Sequence, residues 1–173
     1  EKVNQFSNFV DQNFLEWYKT SAIEREANIF AAELLMPSER FKGACEKQEP
    51  IFKNICAVAE FFKTTLTSTA IRYVDLGPYP SMLIVSVAGK IKWSVHSDDF
   101  PYRFIKIGRE VQKGTIAFDL FAGSKANKTH EMIMGSIWLS DDWSLPEDLL
   151  LYESSILLPS YNTVLSFIWV YED

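Results

Sequence analysis

The residues best suited to chemistry lie in the segment EREANIFAAELLMP, residues 24–37. On a helical wheel of roughly 100° per residue, Glu24 projects into an arc of apolar side chains. The arc consists of Ile23, Ala27, Phe30, Ala31, Leu34 and Leu35. A carboxylate that faces an apolar surface needs a partner, because burying an unpaired charge is costly. A metal ion is one such partner, and Asn28, one turn further along, could support that carboxylate.

An ordinary structural role for Glu24 stays open from the residues alone. Glu24 follows Ser21 by three positions, which fits a capping box at the start of a helix. A glutamate in the first turn also interacts favourably with the helix dipole. Both interpretations place Glu24 on a helix that ends before Pro37.

Other catalytic constellations are not evident in the sequence. Histidine is the usual zinc ligand, but the chain has only His96 and His130. The segment HEMIM at His130 has Met134 where an H-E-x-x-H motif needs its second histidine, and it lies in a strand-like run. The two cysteines, Cys45 and Cys56, do not form a C-x-x-C pair, and no G-x-S-x-G segment occurs.

Composition narrows the class of protein. The 173 residues are 47% hydrophobic and carry a net charge of −6, which predicts a well-formed core and disfavours direct nucleic-acid binding. No apolar run reaches the roughly 18 residues that a membrane span needs, so no membrane partner is expected. The low cysteine content predicts a reducing, cytoplasmic location.

The pattern of elements predicts an α+β fold in two parts. Residues 1–77 read as a helical part, with a short helical turn at 14–18 and four helices from Ser21 to Gly77. The segment GPYPS is the clearest linker. Residues 78–173 read as a mainly antiparallel, sheet-rich part for substrate positioning or sensing.

The sheet-rich part contains short runs of β-branched and aromatic residues. The predicted strands are MLIVSV, KIKWSV, GTIAFDLF, EMIMGSIWL and TVLSFIWVY. The residues AGK between the first two predict a tight hairpin, and SLPEDLLLYESSILL predicts a helix starting at Pro146, or partly a strand.

The segment AVAEFFKTTLTSTAIRYV, residues 57–74, has a pattern similar to a helix-turn-helix. Its charges are nearly balanced, since Lys63 and Arg72 are accompanied by Glu60 and, just beyond, by Asp75. A DNA-binding helix-turn-helix needs basic side chains clustered on one face. A plain helical hairpin is therefore favoured over DNA binding.

Taken together, these segments resemble the ImmA/IrrE family of metallo-endopeptidases. The segment EREANIFAAELLMP is similar to that family's E-x-x-A-N-x-F-A-x-x-L-L-M-P signature, and AEFFKTTLTSTAIRYVDLG is similar to the segment that follows it in the family. The later segments, GKIKWSVHSDDF and LYESSILLPSYNTVLSFIWVYED, look like the later part of its longer members. The resemblance implies a zinc-dependent endopeptidase of gluzincin type that cleaves a helix-turn-helix repressor and so derepresses genes. It implies that Glu24 is a metal ligand and that Asn28 supports it.

The sequence departs from the family in one respect: it contains no H-E-x-x-H segment. The expectation is a C-terminal portion of such a peptidase, with no catalytic residue in this chain, no tightly held zinc and no activity by itself. The alternative is a non-catalytic regulatory or protein-binding module that retains the family scaffold.

Overall fold

The computed structural model describes residues 22–124 and 129–170. In these ranges four helices precede the sheet: α1 (Ala22–Leu35), α2 (Ser38–Cys45), α3 (Phe52–Phe62) and α4 (Leu66–Leu76). The predicted helix ends before Pro37 and at Gly77 are confirmed. The helical turn predicted at 14–18 and the cap at Ser21 lie outside the described residues.

The turn between α3 and α4 is built from local backbone chemistry. Lys63 adopts a left-handed conformation (φ 57°), and its N–H donates to the carbonyls of Ala59 and Glu60. Thr65 then caps α4, because its hydroxyl accepts a hydrogen bond from the N–H of Ser68 at 3.1 Å. The two helices therefore form a hairpin, as the sequence predicts.

A five-stranded sheet follows, with the strands β1 (Ser81–Val87), β2 (Lys90–His96), β3 (Glu131–Met134), β4 (Leu150–Leu158) and β5 (Thr163–Val170). Their order is β2-β1-β5-β4-β3, and each neighbouring pair is antiparallel. The predicted hairpin at Ala88–Gly89 is confirmed, with φ of 48° and 78° at the two turn residues. The chain is an α+β protein.

Both faces of the central strands are buried. Leu83, Val85 and Phe167 lie on one face in a core shared with α3 and α4. Met82 and Ile168 lie on the opposite face, in a second core with the later helices and loops. Successive side chains of a strand point to opposite faces of the sheet. Because both faces of β1 and β5 are buried, their sequences are nearly continuous apolar runs.

Two predicted strands are wrong in whole or in part. The segment GTIAFDLF forms helix α5 (Ile116–Phe121), and EMIMGSIWL divides into β3 and helix α6 (Gly135–Leu139). Thr115 explains the first error, because its hydroxyl accepts a hydrogen bond from the N–H of Phe118 at 3.0 Å and caps α5. Capping and packing on the sheet thus override the strand propensity of Ile and Phe.

The predicted helix at Pro146 is also wrong, since LLYESSILL is strand β4, the strand alternative for that segment. Glu153 lies in the middle of β4 and is fully buried. Its carboxylate accepts hydrogen bonds from Ala117 N at 2.9 Å, Trp138 Nε1 at 3.2 Å and Ser155 Oγ at 2.7 Å. This one side chain therefore ties α5 and α6 to the sheet.

Among the described residues, the helices are all too short or too polar to cross a lipid bilayer.

Candidate metal-ligating helix

The two predicted site residues both lie on α1. Glu24 falls within the first turns of this helix, and Asn28 follows four residues later. Residues four apart in a helix lie on the same face, so the backbone permits Asn28 to approach a group held by Glu24. The side chain of Asn28 is half-buried, and that of Glu24 lies outside the described part of the structure.

The apolar arc predicted on α1 is not buried by the described residues. Phe30 is 71% exposed, Leu34 70% and Leu35 58%. Ile29, outside that arc, is 62% exposed as well. The described residues therefore leave much of this apolar arc uncovered.

A cluster of polar groups joins the C-terminal end of α1 to α4. Arg72 is buried (8% exposed), and its Nη2 donates to the carboxylate of Glu33, to the carbonyl of Met36 at 3.2 Å and to Ser38 Oγ at 3.0 Å. Its Nη1 donates to Asp75 at 3.2 Å, within α4. Charge-assisted bonds of this kind are stronger than neutral ones, so Arg72 anchors the last turn of α1.

Glu33 is held in its charged form at this junction. Hydrogen bonds from the Ser38 hydroxyl at 2.7 Å and the Ser38 N–H at 3.0 Å, followed by the bond from Arg72, lower the pKa of Glu33 from 4.5 to about 2. The junction therefore keeps its ion pair throughout the physiological pH range.

Sequence reasoning missed this junction. On the helical wheel Glu33 projects outside the apolar arc of α1, and the sequence pattern assigns Arg72 only to the helical hairpin. A signal was nevertheless present: Arg72 lies among Ala70, Tyr73 and Val74, which are all buried. A charge within such a face needs a counter-charge.

The two histidines are far apart in the fold and play other roles. His96 ends β2, where its Nδ1 lies 3.0 Å from the carbonyl of Ser97. His130 immediately precedes β3 and packs edge-on against Tyr152, with ring centroids 5.3 Å apart. The HEMIM segment is a strand and not a helix, which agrees with its rejection as a zinc motif.

The thiols do not form a nucleophilic site. Cys45 is buried, and burial raises the pKa of its thiol to about 11. Burial also raises the pKa of the partly buried Cys56. Because the thiolate is the reactive form, both side chains behave as apolar packing groups at neutral pH.

The described residues do not by themselves form a metal site. Within residues 22–124 and 129–170, no three His, Cys, Asp or Glu side chains are grouped so that they could hold an ion. A zinc site on α1 would need Glu24 together with ligands from elsewhere, and no chemical step through zinc follows from the described residues.

Comparison with known protein families gives a match to the helical part of the chain. Residues 7–73 match the family model Peptidase_M78, described as the IrrE N-terminal-like domain. The matched range contains the whole EREANIFAAELLMP segment and ends within α4. The chain is thus related, through this range, to the ImmA/IrrE metallopeptidases. No curated protein matches the chain at a significant level.

Proposed function

We propose that the chain is the C-terminal portion of a zinc-dependent endopeptidase of the ImmA/IrrE type, acting in the cytoplasm on a helix-turn-helix repressor. The observation that carries the proposal is the family match over residues 7–73, which includes Glu24 and Asn28. These two residues lie one turn apart on α1, the spacing that a metal ligand and its supporting amide require.

In this proposal Glu24 supplies one carboxylate ligand, and Asn28 orients it. Zinc in a peptidase of this kind is bound by two histidines and a carboxylate. The histidines would come from an H-E-x-x-H helix, which this sequence does not contain. The chain would then contribute one ligand, the helix that carries it and the sheet-rich part.

The test uses the full-length protein and two variants of α1. Glu24→Gln removes the proposed ligand charge with little change in volume. Glu26→Gln makes the same change on an exposed side chain of the same helix and is the matched control. Zinc content is measured by mass spectrometry after dialysis against a weak chelator, and cleavage of a co-expressed helix-turn-helix repressor is followed by immunoblot.

Loss of stoichiometric zinc and of cleavage in Glu24→Gln, with both retained in Glu26→Gln, is the expected result. If Glu24→Gln keeps its zinc, Glu24 is not a ligand and the assignment fails. If the wild-type protein binds zinc but leaves repressors intact, the metallopeptidase relationship stands and the proposed substrate is wrong.

A second candidate function is a non-catalytic, protein-binding module. The exposed Phe30, Leu34 and Leu35 on α1 favour it, since an apolar helix face is suited to packing against another polypeptide. This alternative predicts that chelators leave partner binding unchanged. It also predicts that Leu34→Asp weakens partner binding, whereas Glu24→Gln does not.

A further inference from the structure

Helix α1 is attached to the other described elements at its C-terminal end. Along its length, Ile29, Phe30 and Leu34 are each more than half exposed, and within the described part of the chain α1 makes only sparse contact with other helices and strands. Met36, directly after the helix, is by contrast buried. Among the described residues, those at this end therefore set the direction in which α1 points.

The first attachment is the side chain of Met36, which packs in the core shared with α3 and α4. The hydroxyl groups of Thr64 and Thr69 donate to its sulfur at 3.6 Å and 4.0 Å. A helix held at a single point is free to pivot about that point. Met36 by itself therefore fixes where α1 ends but leaves the direction of the helix axis open.

Glu33 supplies a second attachment, about one turn before Met36. Its carboxylate accepts hydrogen bonds from the N–H and hydroxyl of Ser38, at the start of α2, and from the guanidinium of Arg72. Glu33 and Met36 are separated by about 4.5 Å along the axis, at 1.5 Å per residue. Two attachments at this separation set the direction of the helix.

Arg72 is the group that holds both attachments at once. Its Nη2 donates to the carboxylate of Glu33 and, at 3.2 Å, to the carbonyl of Met36. Arg72 belongs to α4, where the neighbouring Tyr73 contacts Phe167 of the sheet with ring centroids 5.6 Å apart. The bonds of Arg72 therefore fix the direction of α1 relative to α4 and to the sheet on which α4 packs.

A change of direction at this end is amplified along α1. Glu24 lies about 13 Å from Glu33 along the axis, at 1.5 Å per residue. A rotation of about 5° at Glu33 therefore moves Glu24 by roughly 1 Å. Groups that form a metal site must be held to within about 0.5 Å of their working positions. A rotation of this size is enough to misplace a ligand.

We infer that Arg72 is a positioning residue for the metal ligand Glu24, acting through Glu33 and the length of α1. The inference rests on the proposed function, because Arg72 has this role only if Glu24 binds zinc. It requires no contact between Arg72 and the metal. An uncharged side chain at position 72 leaves α1 helical but lets it pivot about Met36, so that Glu24 is presented in the wrong place.

The experiment measures metal binding by the full-length protein, without reference to peptidase activity. Zinc affinity is obtained by competition with a chromophoric chelator. Co²⁺ is then bound in place of zinc, because its visible absorption changes with the number and geometry of its ligands. Arg72→Met is expected to weaken zinc binding about tenfold or more and to alter the Co²⁺ spectrum.

A double-mutant cycle identifies the contact through which Arg72 acts. Glu33→Gln alone is expected to weaken zinc binding, and adding it to Arg72→Met should weaken binding little further, because both changes break the same contact. Independent, additive effects of the two changes would overturn the route through Glu33. Glu33 is half exposed, so Glu33→Gln keeps the test decisive if Arg72→Met fails to fold.

Two controls separate positioning from a general loss of stability. Asp75→Asn removes the partner of Arg72 that lies within α4, and its zinc affinity should stay within about twofold of wild type. Ile168→Val loosens the core on the opposite face of the sheet. It should lower the urea midpoint of unfolding and likewise leave zinc affinity within about twofold.

The possible failures are distinguishable. If Glu24→Gln binds zinc as tightly as the wild type, the proposed function fails and the inference fails with it. If Glu24→Gln loses zinc while Arg72→Met keeps wild-type affinity and an unchanged Co²⁺ spectrum, Glu24 is a ligand and the positioning role of Arg72 is wrong. Equal weakening by Ile168→Val and Arg72→Met would also overturn the inference, because Arg72 would then act only through stability.

Discussion

The sheet and helix α1 are stabilised in different ways. Strands β1 and β5 have apolar side chains buried on both faces, in two separate cores. Helix α1 exposes its large apolar side chains and is anchored at its C-terminal end by Arg72, Glu33 and the buried Met36. Burial of apolar surface away from water stabilises the sheet, whereas a few hydrogen bonds and an ion pair set the position of α1.

This difference has a functional meaning for the proposed metal ligand. Glu24 lies some nine residues before Glu33 on the same helix, about 13 Å away at 1.5 Å per residue. A small rotation at the anchored end would displace Glu24 by more than it displaces Glu33. The position of the predicted ligand thus depends on how firmly the far end of its helix is held.

The largest expected effect comes from breaking the sheet core. Phe167 is fully buried and packs against Phe52 and Tyr73, with ring centroids 5.5 Å and 5.6 Å away. Phe167→Ala should lower the free energy of unfolding by about 3–5 kcal/mol, because it leaves a cavity in a packed core. Urea unfolding followed by fluorescence measures the change.

The matched change on the helix sharpens the comparison. Leu34 is 70% exposed, so Leu34→Ala should alter the free energy of unfolding by no more than about 0.5 kcal/mol. A loss comparable to that of Phe167→Ala would show that α1 is packed against other residues in solution.

A more local effect is expected from Arg72→Met, which keeps an apolar stem and removes the guanidinium. The amides of α1 should exchange with deuterium about tenfold faster or more, because the last turn of the helix loses its charged anchor. The amides of β1 and β5 should keep their protection. Mass spectrometry of peptic fragments after timed exchange provides the measurement.

Asp75→Asn is the control for that experiment. Asp75 contacts Arg72 from within α4, at 3.2 Å, and does not link the two helices. Its substitution should leave exchange in α1 nearly unchanged. Equal acceleration in both variants would mean that α1 responds to the stability of α4 and not to the bond with Glu33.

The smallest effect is a change in pH dependence at Glu153. Burial raises the pKa of this carboxyl above its ordinary 4.5, so the folded protein binds the proton more tightly than the unfolded chain. The resulting stabilisation is complete below the ordinary pKa and is lost as the pH rises through the raised value. The free-energy advantage of wild type over Glu153→Gln should therefore decrease as the pH rises above about 4.5.

Urea unfolding of the wild type and of Glu153→Gln at several pH values measures how this free-energy advantage changes with pH. Glu33 should behave in the opposite sense, because its pKa is lowered to about 2. Its contribution is present above 4.5 and is lost as the pH falls toward about 2. An advantage of wild type over Glu153→Gln that grows with pH would contradict the assignment of burial as the dominant influence on Glu153.

Much of the helical part follows from local signals. Pro37 and Gly77 mark where two of the predicted helices end, and the structure confirms those positions. The Ala88–Gly89 hairpin is equally local, since a tight turn needs residues that tolerate positive φ.

Errors arise where local preference and tertiary packing disagree. Residues 116–121 are rich in strand formers but form a helix capped by Thr115 and attached to Glu153. Residues 150–158 have a leucine-rich pattern that also suits a helix, yet they pair with both β3 and β5. A short apolar run fits either structure, and only its neighbours decide.

For the candidate site, the sequence by itself determined that Glu24 and Asn28 share a face of one helix, because helical periodicity is a property of the chain alone. It also determined the family to which residues 7–73 are related. Tertiary structure decided that Arg72 meets Glu33 across 39 residues of chain, and that Asp142 joins the two loops carrying Phe104 and Trp143. Such contacts depend on which distant segments pack together, and no local pattern records that.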